Sequence, residues 1–135
     1  MLECLIVGDS IAVGTHQFKT ECRAVAKGGI NSWQWNKQNS NQSLGAKVVV
    51  ISLGSNDHPG VRTLWELQEL RRRVYADRVY WIVPAIKKDK QDAVWAVANK
   101  YHDSVINARN HELSPDGVHP TYKGYKSISN QTKGN

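Results

Sequence analysis

The chain predicts a three-layer α/β domain on a parallel sheet. Two observations carry that expectation. Short apolar runs rich in β-branched residues alternate with longer amphipathic stretches. The runs are also continuous in polarity, as strands covered on both faces are. Strands alternating with helices imply right-handed crossovers and helices on both faces. The simplest arrangement is a five-stranded parallel sheet in order 2-1-3-4-5.

The strands are expected at Leu2 to Val7, Cys22 to Ala26, Val48 to Leu53, Val79 to Val83 (ending at Pro84) and Ser104 to Ile106. The clearest helix spans Val61 to Ala76, with apolar residues three or four apart at Val61, Leu64, Leu67, Leu70 and Val74. Asp89 to Tyr101 repeats the spacing with Val94, Val97, Ala98 and Tyr101. Weaker helices are expected at Ile11 to Thr20 and Asn31 to Asn39, and a last one at Tyr122 to Gln131 after Pro120. Asn36 to Ala46 is polar and reads as including a surface loop. The end from Thr132 is expected to fray. With 135 residues and no internal repeat or long linker, the whole of 1–135 reads as a single domain.

Composition narrows the function classes. An apolar share of 40% and a charged share of 22% are ordinary for a soluble globular protein. No apolar run approaches the roughly 20 residues that span a bilayer. The start, Met1-Leu2-Glu3-Cys4, has no basic leader, so cytoplasmic synthesis is the default expectation, with release by lysis or association with a virion left open. A net charge of +6 favours acidic partners: nucleic acid, anionic polysaccharide or a negatively charged envelope surface. Arg71-Arg72-Arg73 point in three directions on a helix and read as a solvated face, and no nucleic-acid-binding motif accompanies them. Cys4 and Cys22 lack metal spacing and read as reduced core thiols, with a disulfide the lesser reading.

The chemistry gathers at strand ends. Ser10 follows the first strand, Gly29 the second, Asn56 the third, and Asp116 and His119 the last. In the predicted strand order all of them converge on the carboxyl edge of the sheet, at the switch point between strands 1 and 3. Ester hydrolysis needs a nucleophile, a base and donors for a developing oxyanion. Ser10 at a helix start supplies a hydroxyl and an outward backbone N–H. Gly29 admits a second backbone N–H because no Cβ intervenes. The Asn56 side chain supplies a third donor. His119 can take the proton, and Asp116, three residues earlier, can orient the imidazole.

The blocks Gly8-Asp9-Ser10-Ile11, Gly29, Gly54-Ser55-Asn56-Asp57 and Asp116-Gly117-Val118-His119-Pro120 resemble, in order and spacing, the four blocks of the SGNH hydrolase superfamily, the GDSL-type esterases. Tyr122-Lys123-Gly124-Tyr125 is similar to the helix start that follows the family's last block. The Gly-x-Ser-x-Gly elbow of the α/β-hydrolases is absent. The resemblance implies a flavodoxin-like sheet and hydrolysis of esters through an acyl-serine, with no metal or other cofactor. Ser10 would be the nucleophile, His119 the base and Asp116 its partner. Ser10, Gly29 and Asn56 would form the oxyanion hole. The second block reads Gly28-Gly29, so either glycine could donate, with Gly29 preferred. No long insertion is present to build a lid, so the site is expected to be shallow and open.

Other residues read more plainly. Asp9 and Asp57 are expected to brace turns, His58 to lie exposed, and His16, His102 and His111 to be partnerless surface residues. Trp65, Trp81 and Trp95 read as packing residues. Trp33 and Trp35 follow the Gly29 loop, and a platform for a sugar ring is the lesser reading of them, since residues two apart do not share a helix face. The leading functional expectation is a serine esterase acting on small acyl esters, acetyl foremost, including O-acetyl groups on a carbohydrate. Lysophospholipase, thioesterase-like and acyltransferase activities are alternatives within the family. A metal-dependent phosphoryl-transfer or receiver-like domain using Asp9, Asp57 and Asp116 is an alternative of another class. So is a non-catalytic glycan- or nucleic-acid-binding module.

Overall fold

A computed structural model describes residues 1–133. Strand β1 (Leu2–Gly8) lies between β2 (Arg23–Ala26) and β3 (Leu44–Ser52). A two-residue strand β4 (Val74–Tyr75) pairs with the start of β3, while β5 (Arg78–Val83) and β6 (Ser104–Asn107) extend the sheet beyond it. All pairings are parallel, in the order β2-β1-β3-β5-β6. This is the expected order with β4 added at one margin.

Two apolar layers sandwich the sheet. Helices α2 (Ser32–Gln38), α3 (Thr63–Arg72) and α4 (Lys88–Tyr101) cover one face through Trp35, Leu67, Leu70, Val94 and Val97. Helices α1 (Ser10–His16) and α5 (Tyr122–Gln131) cover the other through Ile11, Ala12 and Ile128. The buried run Val48 to Leu53 explains the continuous hydrophobicity of β3: its side chains alternate between these two layers.

Several expectations are corrected. The inward face of α3 consists of Thr63, Glu66, Leu67 and Leu70, so Leu64 and Trp65 stand exposed. Glu66 tolerates burial because it accepts a hydrogen bond from Asn36 of α2 (2.8 Å). Trp95 likewise faces outward from α4, and of the three tryptophans read as packing residues only Trp81 is buried. Two of the three arginines are structural, while Arg72 stays exposed as expected. Arg71 makes a two-pronged bond to Asp103 (2.7 and 3.0 Å), and Arg73 donates to the carbonyls of Asn39 and Gln42. His16 bonds the Cys22 carbonyl, and His111 bonds the Ser127 hydroxyl. Thr132 is buried and its hydroxyl donates to the Ser129 carbonyl, so fraying does not begin there; positions 134–135 lie outside the described residues.

The cysteines are the sharpest correction. The β1–β2 register pairs Leu5 with Arg23, which sets Cys4 beside Cys22 on one face, and they form a disulfide. Their Cα atoms are 4.7 Å apart, within the range such a bond requires. Reading each cysteine as a separate core thiol missed this because only register brings them together. The bond closes a loop with a sequence separation of 18. Replacing both cysteines by alanine should lower the unfolding free energy by about 3 kcal/mol in urea titrations, and thiol titration of the unfolded, unreduced parent should find no free sulfhydryl.

Candidate active site

The site begins at the end of β1. Gly8 adopts φ +137°, and a Cβ there would fall 1.8 Å from the Ser52 carbonyl oxygen. Only glycine lets β1 and β3 run this close at their ends. The Asp9 amide then donates to that same carbonyl (2.9 Å). The buried Asp9 carboxylate accepts from the Ile11 amide and from the Ser52 hydroxyl, both at 3.0 Å. Asp9 is thus the N-cap of α1 and also the clasp between β1 and β3. Its expected bracing role holds in a specific form: it fixes the first residue of α1, which is Ser10.

Ser10 meets the far end of the chain. Its Oγ lies 2.7 Å from His119 Nε2, and His119 Nδ1 lies 2.8 Å from Asp116 Oδ2. The other oxygen of Asp116 accepts from the amides of Val118 and His119 (2.8 and 3.0 Å), and the Ser114 amide holds the His119 carbonyl (2.7 Å). The bonds from His119 and these amides pull Asp116 down to about 2. An ionised carboxylate can only accept, so Nδ1 carries the imidazole proton and Nε2 presents its lone pair to the Ser10 hydroxyl. This arrangement can draw a proton off Ser10 as Oγ attacks. The His119 and Asp116 side chains remain 42% and 50% exposed, so the site is open, as the lack of a lid insertion implies.

The donor loops are tied to each other. Lys27 to Ile30 form a turn closed by the Ile30 amide on the Lys27 carbonyl, with Gly29 at φ +79°. A Cβ on Gly28 would lie 3.9 Å from the Ser10 Cβ, so this turn overhangs the serine. Asn56 donates one amide hydrogen to the Ile30 carbonyl (3.0 Å), which orients the amide and leaves its second hydrogen for a ligand. Buried Asp57 accepts from the Ser32 amide, the Ser32 hydroxyl and the Thr63 hydroxyl (2.8, 2.6 and 2.7 Å), fastening the starts of α2 and α3 to the Asn56 loop.

One participant was missed from sequence. Lys87 has φ +67°, and its Nζ donates to the carbonyls of Ser55 (2.7 Å) and Asp57 (3.0 Å), on either side of Asn56. Its only sequence signal is a place just past the end of β5, on the edge where the other site residues collect. Tyr125 of α5 packs its ring against Gly14 of α1, where a Cβ would come within 2.2 Å of the ring. Burial and the charges of Asp9 and Asp116 push its phenol up to about 12.

The carboxylates do not converge on a metal. Asp9, Asp57 and Asp116 are committed to the separate bonds above, and the one cluster of potential ligands among the described residues is Cys4, Glu21 and Cys22, whose sulfurs are joined. Among the described residues these three carboxylates form no common ligand cluster that would support the receiver-like reading.

No protein-family model and no curated protein matches the sequence. Solved structures match in fold. A candidate acylhydrolase from Bacteroides fragilis superposes with TM-score 0.68 at 20% identity, over 96% of this chain and 83% of that one. A candidate GDSL-like lipase from Parabacteroides merdae gives TM-score 0.70 at 15% identity, over 94% and 91%. The catalytic domain of peptidoglycan O-acetyltransferase A from Streptococcus pneumoniae gives 0.64 at 16%, over 95% and 88%. The chain shares the three-layer α/β fold of these structures. Within that fold, the four sequence blocks fall at the edge where β1 and β3 end.

Burial raises Asp9 from 3.8 to about 6, and its Oδ2 has no hydrogen-bond partner. The folded state therefore holds this proton more tightly than the unfolded chain. The stabilisation is full below 3.8 and lost as pH rises through about 6. The loss across that window should be on the order of 3 kcal/mol. Asp9→Asn keeps the cap acceptor and cannot ionise. Urea midpoints at about pH 4 and pH 7 should fall in the parent and change less in the variant; equal falls would contradict the assignment.

Proposed function

We propose that this protein is a serine esterase that removes small acyl groups, acetyl foremost, through an acyl-serine intermediate. The observation that carries the reading is the continuous relay from Ser10 through His119 to Asp116. Ser10 Oγ attacks the ester carbonyl while His119 Nε2 takes its proton. The amides of Ser10 and of the Gly28-Gly29 turn, with Gly29 the preferred donor, and the free Asn56 N–H stabilise the oxyanion. Collapse breaks the bond to the alcohol, which leaves with the proton returned by His119. Water then repeats the sequence and frees the serine.

O-acetyl groups on a carbohydrate are the substrates this reading favours. The open site and the net charge of +6 suit a large, anionic glycan better than a buried lipid tail. A structural relative named as a peptidoglycan O-acetyltransferase supports the same class, and makes transfer to a sugar hydroxyl the second reading. The Cys4–Cys22 bond supports a place of action where thiols stay oxidised, outside a reducing cytoplasm.

With p-nitrophenyl esters from acetate to octanoate, turnover should be fastest on the short chains. Ser10→Ala should lose at least about 10³-fold in kcat, and comparable rates from both proteins would reject the reading. Asn56→Ala should lose about 10²- to 10³-fold in kcat with little change in KM. Lys87 acts through Asn56, so Lys87→Met should lower kcat by about 10- to 10²-fold. Its KM should move little and Lys87→Arg should recover part of the rate; a loss confined to KM would place Lys87 elsewhere.

A further inference from the structure

A groove of about 860 Å³ runs between α2 and α3. Its upper walls are Trp33 and Trp65, which are 49% and 46% exposed. Two large indoles exposed along one groove form the kind of apolar patch that marks a binding surface. Both stand in the first turn of their helix: Trp33 follows the Gly28-Gly29 turn by a few residues, and Trp65 follows the Asn56 loop. From that end the lining continues along the helices to Ser40 and Arg73. The groove therefore starts at the edge that carries Ser10 and leads away down the side of the molecule. Trp35, the other tryptophan of α2, takes no part, because it is buried and donates to the Val25 carbonyl.

The walls are held in place. Asn36 bonds Glu66 across the floor, Asp57 pins the first turns of both helices, and Arg73 grips the loop after α2. The chemistry in and beside the groove is mixed, Arg62 lying outside its lining. Lys37 lies 5.3 Å over the Trp33 ring and Arg62 lies 4.8 Å over the Trp65 ring, while Glu69 and Arg72 pair at the rim. Flat apolar faces beside polar and cationic groups fit a sugar ring, which offers C–H faces to an indole and hydroxyls at its edge. The groove lacks the continuous apolar lining that an acyl tail or a partner helix would need. Its volume is in the range of ordinary ligand sites.

We propose that this groove binds the carbohydrate chain of the substrate, with sugar rings on Trp33 and Trp65 and the esterified residue presented to Ser10. The proposal deepens the esterase reading and rests on it for the direction of the chain. Two measurements test it, and the probes are chemically O-acetylated hexasaccharides, one neutral and one containing uronic acids, with the matching monosaccharide acetate. In the Trp33→Ala/Trp65→Ala variant, KM for the hexasaccharides should rise at least about 10-fold, a loss typical of removing aromatic anchors. Turnover of p-nitrophenyl acetate should stay within about twofold, and the monosaccharide acetate should be affected little. The uronic arm should bind the parent better if Lys37 contributes, and that preference should fade in Lys37→Ala. Separately, deacetylated hexasaccharide should quench the parent's tryptophan fluorescence and fail to quench the double variant's. Unchanged hexasaccharide KM with unchanged quenching would overturn the proposal. So would a parent that sediments as a dimer and a variant that sediments as a monomer, since a second copy would then fill the groove. If the parent turns over no ester yet the hexasaccharide quenches it, the esterase reading fails and the groove assignment stands.

Discussion

The structure depends on how closely β1 and β3 approach at their carboxyl ends. Gly8 has no side chain to keep them apart, and Asp9 closes the gap with bonds to the Ser52 carbonyl and hydroxyl. The same carboxylate caps α1, so the position of Ser10 is set by a contact between two strands rather than by its own loop. Burying that carboxylate is costly, and one of its oxygens stays unpaired. The gain is a tightly placed Ser10.

Everything else at the edge is a second set of clasps converging on the first. Asn56 holds the glycine turn through the Ile30 carbonyl, Asp57 holds the starts of α2 and α3, and Lys87 holds the carbonyls on both sides of Asn56. Each clasp joins segments distant in sequence across a loop. Many carbonyls and carboxylates of these loops are thereby bonded internally, which gives an open site fixed geometry. Across the sheet, Tyr125 against Gly14 ties α5 to α1, and α5 follows directly on the loop that carries Asp116 and His119. The imidazole is thus braced from behind by the helix packed on the serine's own helix.

The same clasps shape the outer surface. Asp57 fastens the first turns of α2 and α3 to the site and Asn36 bonds Glu66, and the groove flanked by tryptophans lies between these two fastened helices. The elements that order the chemical edge also frame the groove leading from it.

Much of this was legible in the amino-acid order. Continuous β-branched runs between amphipathic ones dictated a parallel sheet with two helical layers, and the strand order placed Ser10, Asn56, Asp116 and His119 on one edge. Those signals are local in period, so sequence carries them. What failed to be legible depends on register and rotation. Cys4 and Cys22 meet only because Leu5 pairs with Arg23. The arginines after Leu70 find Asp103 and distant carbonyls, and Trp65 turns outward because α3 seats on Thr63, Glu66, Leu67 and Leu70 instead of on Leu64. Lys87 finds the Asn56 loop from a different crossover altogether. The residue types and their spacing determined which chemistry the chain can assemble. The tertiary structure alone decided which side chains share a face and which distant carbonyls a cation can reach, because such contacts are set by packing between elements and leave no periodicity in the sequence.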